Sequence, residues 1–390
     1  MCLTLFLLFF QLLFCRGSWL TNEAVDYFVN EFEKLEHYRL AKTVSKLSKD
    51  DRSSAPFITG NGFMHIANVI AAPNSVINIQ QNDCIFISRD FYSEFVETYM
   101  QLINTSYTLI VHNGDESTPD GQNDTVGYRY DKIVTSQILL EEHNKKKLLS
   151  LYASNLWWSN YTLNPRPSYF HCIPIGLENR EHKYGQNLNQ YINAMKNSMI
   201  PNHSANKGLL LVPLTPNSLD RAKVLTWLEK TVKKNGETWY NHTILPHPDW
   251  LKAITEHKFV LAPFGNGLDT HRMYEIWLMG GIPVARKSTI SSCFNDEDTS
   301  IGGNGSPGGS LPVVFLDSWD QLTKKRLVEE WKKIVKVSKE EWNWRRLTLG
   351  HWMERLNCPT HSHRHPVIHH SHTGSSRLST TTWNDKNKET

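Results

Sequence analysis

The sequence carries almost no net charge. Its 42 Lys and Arg side chains against 39 Asp and Glu side chains leave a formal charge of +3 at pH 7, and no basic stripe stands out. Nucleic-acid binding depends on clustered Lys and Arg that neutralise phosphates. We therefore expect no nucleic-acid partner.

The sequence also lacks the short motifs of several common enzyme classes. It has no Gly-x-Ser-x-Gly elbow, no P-loop and no zinc-protease motif, which disfavours the common hydrolases. The one acidic motif of interest, Asp296-Glu-Asp298, resembles an Asp-x-Asp metal site, but it lies in the Gly- and Ser-rich stretch 291–310. A solvated loop or a flap over a cleft fits this stretch better than a strand end holding a metal. We predict no metal site.

Long hydrophobic runs are absent except at the N-terminus. Met1–Phe14 is almost wholly apolar, whereas about 20 apolar residues are needed to cross a bilayer comfortably. A signal peptide fits best and a short membrane anchor is the alternative. Five N-glycosylation sequons agree with the secretory pathway, at Asn104, Asn123, Asn160, Asn202 and Asn241. We expect the protein in the Golgi or endoplasmic-reticulum lumen, membrane-anchored or in a secreted form.

Cysteines are few, six in 390 residues. Two lie in the leader, and the remaining four are Cys84, Cys172, Cys293 and Cys358. None shows zinc-site spacing, so a structural disulfide is expected, and all three pairings stay open.

Strands and helices alternate along the rest of the chain. The strands predicted from apolar runs are 83–88, 107–111, 169–174, 208–213, 258–262, 282–286 and 311–316. Helices are predicted between them, among them 137–150 and 269–279. Alternation of this kind indicates parallel sheets. The fold class is therefore α/β, in two halves.

The composition places the boundaries of these halves. We assign 1–20 to the signal peptide or anchor, 21–55 to a stem or N-terminal helix, 56–200 to an N-terminal acceptor-side domain, 207–356 to a C-terminal nucleotide-sugar-binding domain, and 357–390 to a disordered His-rich tail. A His tract can bind Zn or Cu, but without fixed geometry a disordered tail is the better interpretation.

The segment 258–286 carries the chemistry. Its strand runs into the loop Gly265-Asn266-Gly267, whose glycines let backbone N–H groups approach a ligand closely. The helix that follows favours an anion at its N-terminus, and Asp269 or Thr270 is predicted to cap it. This arrangement predicts a diphosphate site.

The same helix has two predicted faces. Its buried face consists of Met273, Ile276, Trp277 and Gly280. His271, Arg272 and Glu275 lie off that face, where they can point into the cleft. Arg presents a fork that matches phosphate oxygens, and Glu presents two acceptors to a pair of ribose hydroxyls. The alternative is a surface helix in which Arg272 and Glu275 form an ion pair.

Residues 258–286 resemble the donor-binding segment of the exostosin-like glycosyltransferases. The likeness rests on the strand 259–262, the loop 265–267, Arg272 with Glu275, and Gly281-Ile-Pro-Val284, and it extends more weakly over 80–350. The resemblance implies two facing Rossmann-like domains of the GT-B type and an inverting transfer without an obligatory metal cofactor. It also implies a nucleotide-sugar donor, for which we expect a UDP-sugar, and a glycan or glycoprotein acceptor.

Two features depart from the family pattern. Basic residues often follow the first strand of the second domain, but here Arg221 is the only close candidate and Lys223 a poorer one. The first domain has no motif that identifies a base. Asp115 is the chosen candidate because it follows the strand 107–111, although it also fits a tight turn. Glu116 and Asp120 are the alternatives.

The resulting hypothesis is an inverting glycosyltransferase of the secretory pathway. Its predicted site comprises Asp115 as catalytic base and seven donor-binding residues: Arg221, Gly265, Asn266, Gly267, Asp269, Arg272 and Glu275. The competing hypothesis is a catalytically silent sugar-binding or scaffolding subunit with the same fold. The oligomeric state is left open.

Overall fold

The computed structural model describes residues 19–41, 54–73, 78–115, 117–119, 136–157, 167–179, 182–185, 187–198, 207–294 and 310–359. Several predicted features lie outside the described residues: the leader 1–18, the sequons at Asn123, Asn160 and Asn202, Glu116, Asp120, the Asp296–Asp298 motif and the His tract. Within the described ranges no helix is long and apolar enough to cross a membrane.

A parallel sheet forms the first half of the molecule. Its strands, in both chain order and spatial order, are β1 (Val69–Ile70), β2 (Asp83–Ser88), β3 (Tyr107–His112), β5 (Leu148–Ala153) and β7 (Phe170–Cys172). β4 (Thr118–Pro119) and β6 (Leu156–Trp157) form a separate parallel pair. β2 and β3 are buried along almost their whole length, as expected for a parallel sheet covered on both faces.

Five α-helices of the described residues accompany this sheet. They are α1 (Asn22–Ala41), α2 (Gly60–Ile66), α3 (Arg89–Glu94), α4 (Ser136–Asn144) and α5 (Leu188–Ser198). The helix predicted over 137–150 is too long at its C-terminal end. Lys146 takes a left-handed φ of 58°, which ends the helical segment, and Leu148–Ala153 pairs instead with β3 and β7.

A second parallel sheet forms the other half. Its strands are β8 (Gly208–Val212), β9 (Tyr240–His242), β10 (His257–Leu261), β11 (Ile282–Arg286) and β12 (Val314–Leu316). Their spatial order is β12-β11-β10-β8-β9, so the direction of the winding reverses between β8 and β10. A reversal point opens a crevice at the carboxyl ends of the strands, where ligands bind in sheets of this kind.

The helices of the second half are α6 (Leu219–Trp227), α7 (His247–Thr255), α8 (His271–Leu278), α9 (Ser291–Phe294), α10 (Lys324–Ile334) and α11 (Leu349–Leu356). Helix α8 follows β10 and buries Met273, Ile276 and Trp277 as predicted. The mixed α/β architecture with two parallel sheets is consistent with two Rossmann-like domains.

The N-terminal helix is built into the core. Phe28 is fully buried and its ring stacks on Phe57 with a centroid distance of 5.1 Å. Just before the helix, the Trp19 indole N–H donates to the Gly281 carbonyl at 3.0 Å. The segment interpreted as a stem therefore packs against the rest of the fold from Trp19 to Phe32.

The C-terminal helix returns to the first half. Leu349, Trp352 and Leu356 of α11 pack in the same cluster as Phe63 and Ile110. Directly after it, Cys358 forms a disulfide with Cys84 of β2, across 274 residues of sequence. Cys172 is also disulfide-bonded. Helix α11, assigned to the second domain from the sequence, thus covers the first sheet.

Candidate active site

The carboxyl ends of the two sheets face each other. After β10, the Asp269 carboxylate accepts the Ile175 N–H at 2.8 Å, and the Asp269 N–H donates to the Asn155 side-chain oxygen at 2.8 Å. Ile175 and Asn155 belong to loops that follow strands of the first sheet. These bonds hold the two sets of loops on either side of a cleft.

All eight residues predicted from the sequence line this cleft. It encloses about 540 Å³, and its walls include Asp115, Arg221, Gly265, Asn266, Gly267, Asp269, Arg272 and Glu275. Small-molecule pockets have about 300–1,000 Å³. The structure therefore brings the predicted residues together around a space of suitable size.

The glycine loop is tightly held. The Gly265 N–H donates to the Gly267 carbonyl at 3.1 Å, and the Phe264 N–H donates to the Asp220 carboxylate at 3.1 Å. A Cβ atom on Gly267 would stand 2.7 Å from both the Asn155 side-chain oxygen and the Asp115 carbonyl oxygen. Only glycine fits there without displacing the opposite wall of the cleft.

Two arginines lie beside this loop without complete pairing. Arg272 Nη1 and Arg221 Nε are buried and have no hydrogen-bond partner among the described residues. Burial, followed by the charge of Arg221, lowers the pKa of Arg272 to about 10, and burial lowers the pKa of Arg221. The two guanidinium groups repel each other inside the wall of the cleft. An anion bound between them would offset this cost.

Helix α8 begins at the same place. Thr270 occupies the N-cap position, but its side chain makes no capping bond, and its hydroxyl oxygen is buried without a partner among the described residues. The predicted cap by Asp269 or Thr270 is therefore wrong, because Asp269 bonds elsewhere. The first-turn N–H groups and the helix dipole add to the positive potential of the two arginines.

Glu275 lies deep in the cleft, 8% exposed. Its Oε1 accepts from the Tyr191 hydroxyl at 2.8 Å and from His247 Nε2 at 3.1 Å, and its Oε2 accepts from the Trp250 indole at 2.9 Å. Burial raises the pKa of this carboxyl, but the hydrogen bond and charge of His247, with the bonds from Trp250 and Tyr191, outweigh burial and lower it. The group is held as a carboxylate, and it forms no ion pair with Arg272 of the kind considered as the alternative.

Asp269 is 2% exposed and fully engaged within the protein. Besides the Ile175 N–H, its carboxylate accepts the Tyr274 hydroxyl at 2.7 Å and the Thr270 N–H at 2.9 Å. Burial nevertheless raises its pKa to about 6. These bonds position the loop between β10 and α8 against the first half.

Asp115 lies where this cleft meets a second one. The second cleft encloses about 450 Å³ and includes His112, Asn113 and Asn179 of the first half. Asp115, Ile175, Asn266 and His271 line both. Asp115 is exposed, and one carboxylate oxygen accepts from the Asn266 amide at 3.1 Å. The junction connects the cleft that contains the two arginines with the cleft that contains His112 and Asn113.

Sequence reasoning missed three residues of the site: Tyr191, His247 and Trp250. Tyr191 comes from α5, which had been assigned to the first domain, and no local pattern connects it with Glu275, 84 residues away. His247 and Trp250 lie in the first turn of α7, and no sequence motif distinguishes them. His271, which directly precedes Arg272 at the start of α8 and was predicted to face the cleft, does line it.

One family model matches the C-terminal part of the chain. Residues 214–372 match the family described as the RXYLT1 C-terminal domain. No curated protein matches the chain. Among solved structures, "Crystal structure of GtfA/B complex" aligns with a TM-score of 0.32 and 9% identity over 72% of this chain and 57% of that one, so this chain spans little more than half of its length.

The family match confirms the resemblance that the segment 258–286 predicted. Strand β10, the loop 265–267, Arg272 and Glu275 all lie within the matched residues. Residues 214–372 are thus similar to the RXYLT1 C-terminal domain family, an exostosin-like glycosyltransferase family.

Proposed function

We propose that the protein is an inverting glycosyltransferase that transfers a sugar from a nucleotide-sugar donor to a hydroxyl group of a glycan or glycoprotein in the secretory pathway. In this proposal the two halves form a GT-B architecture, with the donor in the cleft of the second half. The main observation behind it is that Arg221 and Arg272, beside the glycine loop, each have a buried guanidinium nitrogen without a hydrogen-bond partner among the described residues.

A diphosphate fits this part of the cleft. Two guanidinium groups and the N-terminus of α8 favour negative charge here. The same groups stabilise the charge that develops on the departing nucleoside diphosphate. They supply the positive charge for which many transferases use a metal ion, so we propose transfer without an obligatory metal.

The ribose fits beside Glu275. Each carboxylate oxygen accepts about two hydrogen bonds. Oε1 already has two donors, whereas Oε2 has only the Trp250 indole. The remaining position on Oε2 is the one we assign to a ribose hydroxyl. UDP is the nucleotide we expect.

The acceptor fits the second cleft, whose junction with the first contains Asp115. Asp115 is the base predicted from the sequence, and its location at the meeting point of the two clefts supports a role at the acceptor end. The leader and sequons support placement of the enzyme in the Golgi or endoplasmic-reticulum lumen.

The test is a titration of the purified protein with UDP and with uridine, followed by thermal unfolding. UDP should raise Tm and uridine should raise it far less, because only UDP carries the diphosphate. Glu275→Gln should weaken UDP binding about tenfold or more, because the amide removes one acceptor from the ribose site. Release of UDP from UDP-sugars then separates an enzyme from a silent subunit. No stabilisation by UDP or by any other nucleoside diphosphate would refute the donor site.

A further inference from the structure

His271 occupies the junction of the two clefts. It is the first residue of α8, and its side chain lines both the donor cleft and the acceptor cleft. The anomeric carbon of a bound donor and the hydroxyl of an acceptor must meet at such a junction. A group here is placed to act on the atoms that react.

The imidazole of His271 is held in one tautomer. Its Nδ1 lies 2.8 Å from the carbonyl oxygen of Gly176, which can only accept a hydrogen bond, so Nδ1 carries the proton. In the neutral ring Nε2 therefore presents a lone pair. The segment that carries this carbonyl is itself held, because the backbone N–H of the next residue, Leu177, donates to the Ile58 carbonyl oxygen at 2.8 Å.

The neighbouring histidine is not equivalent. His112 also lines the acceptor cleft, but its Nε2 lies 3.1 Å from the Pro174 carbonyl oxygen and its Nδ1 accepts the Asn113 N–H at 2.6 Å. Both ring nitrogens are thus engaged, and burial lowers its pKa to about 4. His112 supports the loops and has no free lone pair for an acceptor.

We infer that His271, in place of the Asp115 predicted from the sequence, is the catalytic base of the proposed transfer. Nε2 takes the proton of the acceptor hydroxyl as the acceptor oxygen forms its bond to the anomeric carbon. The bond from the anomeric carbon to the diphosphate oxygen breaks, and its electron pair leaves with the nucleoside diphosphate. Asp115 then binds and orients the acceptor. This inference rests on the proposed function.

The experiment measures UDP release from a panel consisting of UDP-xylose, UDP-glucose, UDP-galactose, UDP-N-acetylglucosamine and UDP-glucuronate, with water or simple glycosides as acceptors. His271→Gln should lower kcat about 10²- to 10⁴-fold, the range for loss of a general base, and keep the affinity for UDP within about threefold. The wild-type rate should fall at acidic pH as the imidazole is protonated, and this acidic limb should disappear in His271→Gln and persist in Asp115→Asn.

His143→Gln is the matched control. His143 also has an Nδ1 bonded to a backbone carbonyl, that of Leu148 at 2.9 Å, but it lies at the amino end of β5 and lines neither cleft. Its variant should keep its rate within about threefold. Near-normal turnover in His271→Gln, or an acidic limb lost in Asp115→Asn alone, would overturn the inference while leaving the donor site intact. UDP binding without release from any donor in the panel would overturn the proposed transfer and the inference together.

Discussion

Replacement of Arg272 by methionine tests whether the arginine serves a ligand or the fold. Folding lowers the pKa of the Arg272 guanidinium from 12.5 to about 10. At neutral pH the charged side chain therefore destabilises the folded protein by about 3 kcal/mol. The guanidinium also lies 5.8 Å from the centre of the Trp250 ring, a contact worth about 0.5–1 kcal/mol. The cost of the buried charge exceeds the gain from the Trp250 contact by about 2 kcal/mol. Arg272→Met should therefore make the ligand-free protein more stable by that amount, with a Tm several degrees higher.

The effect on UDP binding has the opposite sign. A hydrogen bond to a charged group contributes about 1.5–3 kcal/mol. Two such bonds to a diphosphate therefore predict a loss of at least about 3 kcal/mol, or about 150-fold in Kd. Differential scanning fluorimetry and calorimetric titration with UDP measure both effects on the same samples.

Arg286→Met provides the contrast. Arg286 forms a salt bridge of 3.1 Å with the fully buried Asp220, so its removal leaves a buried carboxylate without its cation and should cost about 3–5 kcal/mol of stability. If Arg272→Met is destabilised like Arg286→Met and still binds UDP with wild-type affinity, Arg272 is a structural residue and the diphosphate site is refuted.

Two further predictions concern the wall of the cleft. Folding raises the pKa of the Asp269 carboxyl from 3.8 to about 6, so the folded protein favours the protonated form. The free energy of unfolding of the wild type, measured relative to that of Asp269→Asn, should therefore be highest below about pH 4. It should fall by about 3 kcal/mol as the pH rises through 6. Chemical denaturation at a series of pH values measures this, and a constant difference would contradict it. Gly267→Ala should weaken UDP binding and lower Tm, because its Cβ would press on the opposite wall at 2.7 Å. The same change at Gly350, where the nearest atom is 3.6 Å away in α11, should leave both within error or raise Tm slightly; equal behaviour of the two variants would argue against the tight loop.

The sequence by itself determined the features that depend on neighbouring residues. The apolar runs at 83–88 and 282–286 became strands with those same bounds, and the repeat of Met273, Ile276 and Trp277 became the buried face of α8. Strand, glycine loop and helix are consecutive in the chain, so their chemistry could be read from residues 258–286 alone. A two-residue strand such as β1 has too few residues for a pattern.

Only the tertiary structure decided the contacts between distant parts of the chain. The Cys84–Cys358 disulfide spans 274 residues, and Tyr191 reaches Glu275 from a helix of the other half. Helices α1 and α11 cover surfaces whose partners no local periodicity identifies. The tautomer of His271 depends on a carbonyl 95 residues away. Such pairings follow from how the two sheets pack and face each other, and a one-dimensional pattern does not contain that geometry.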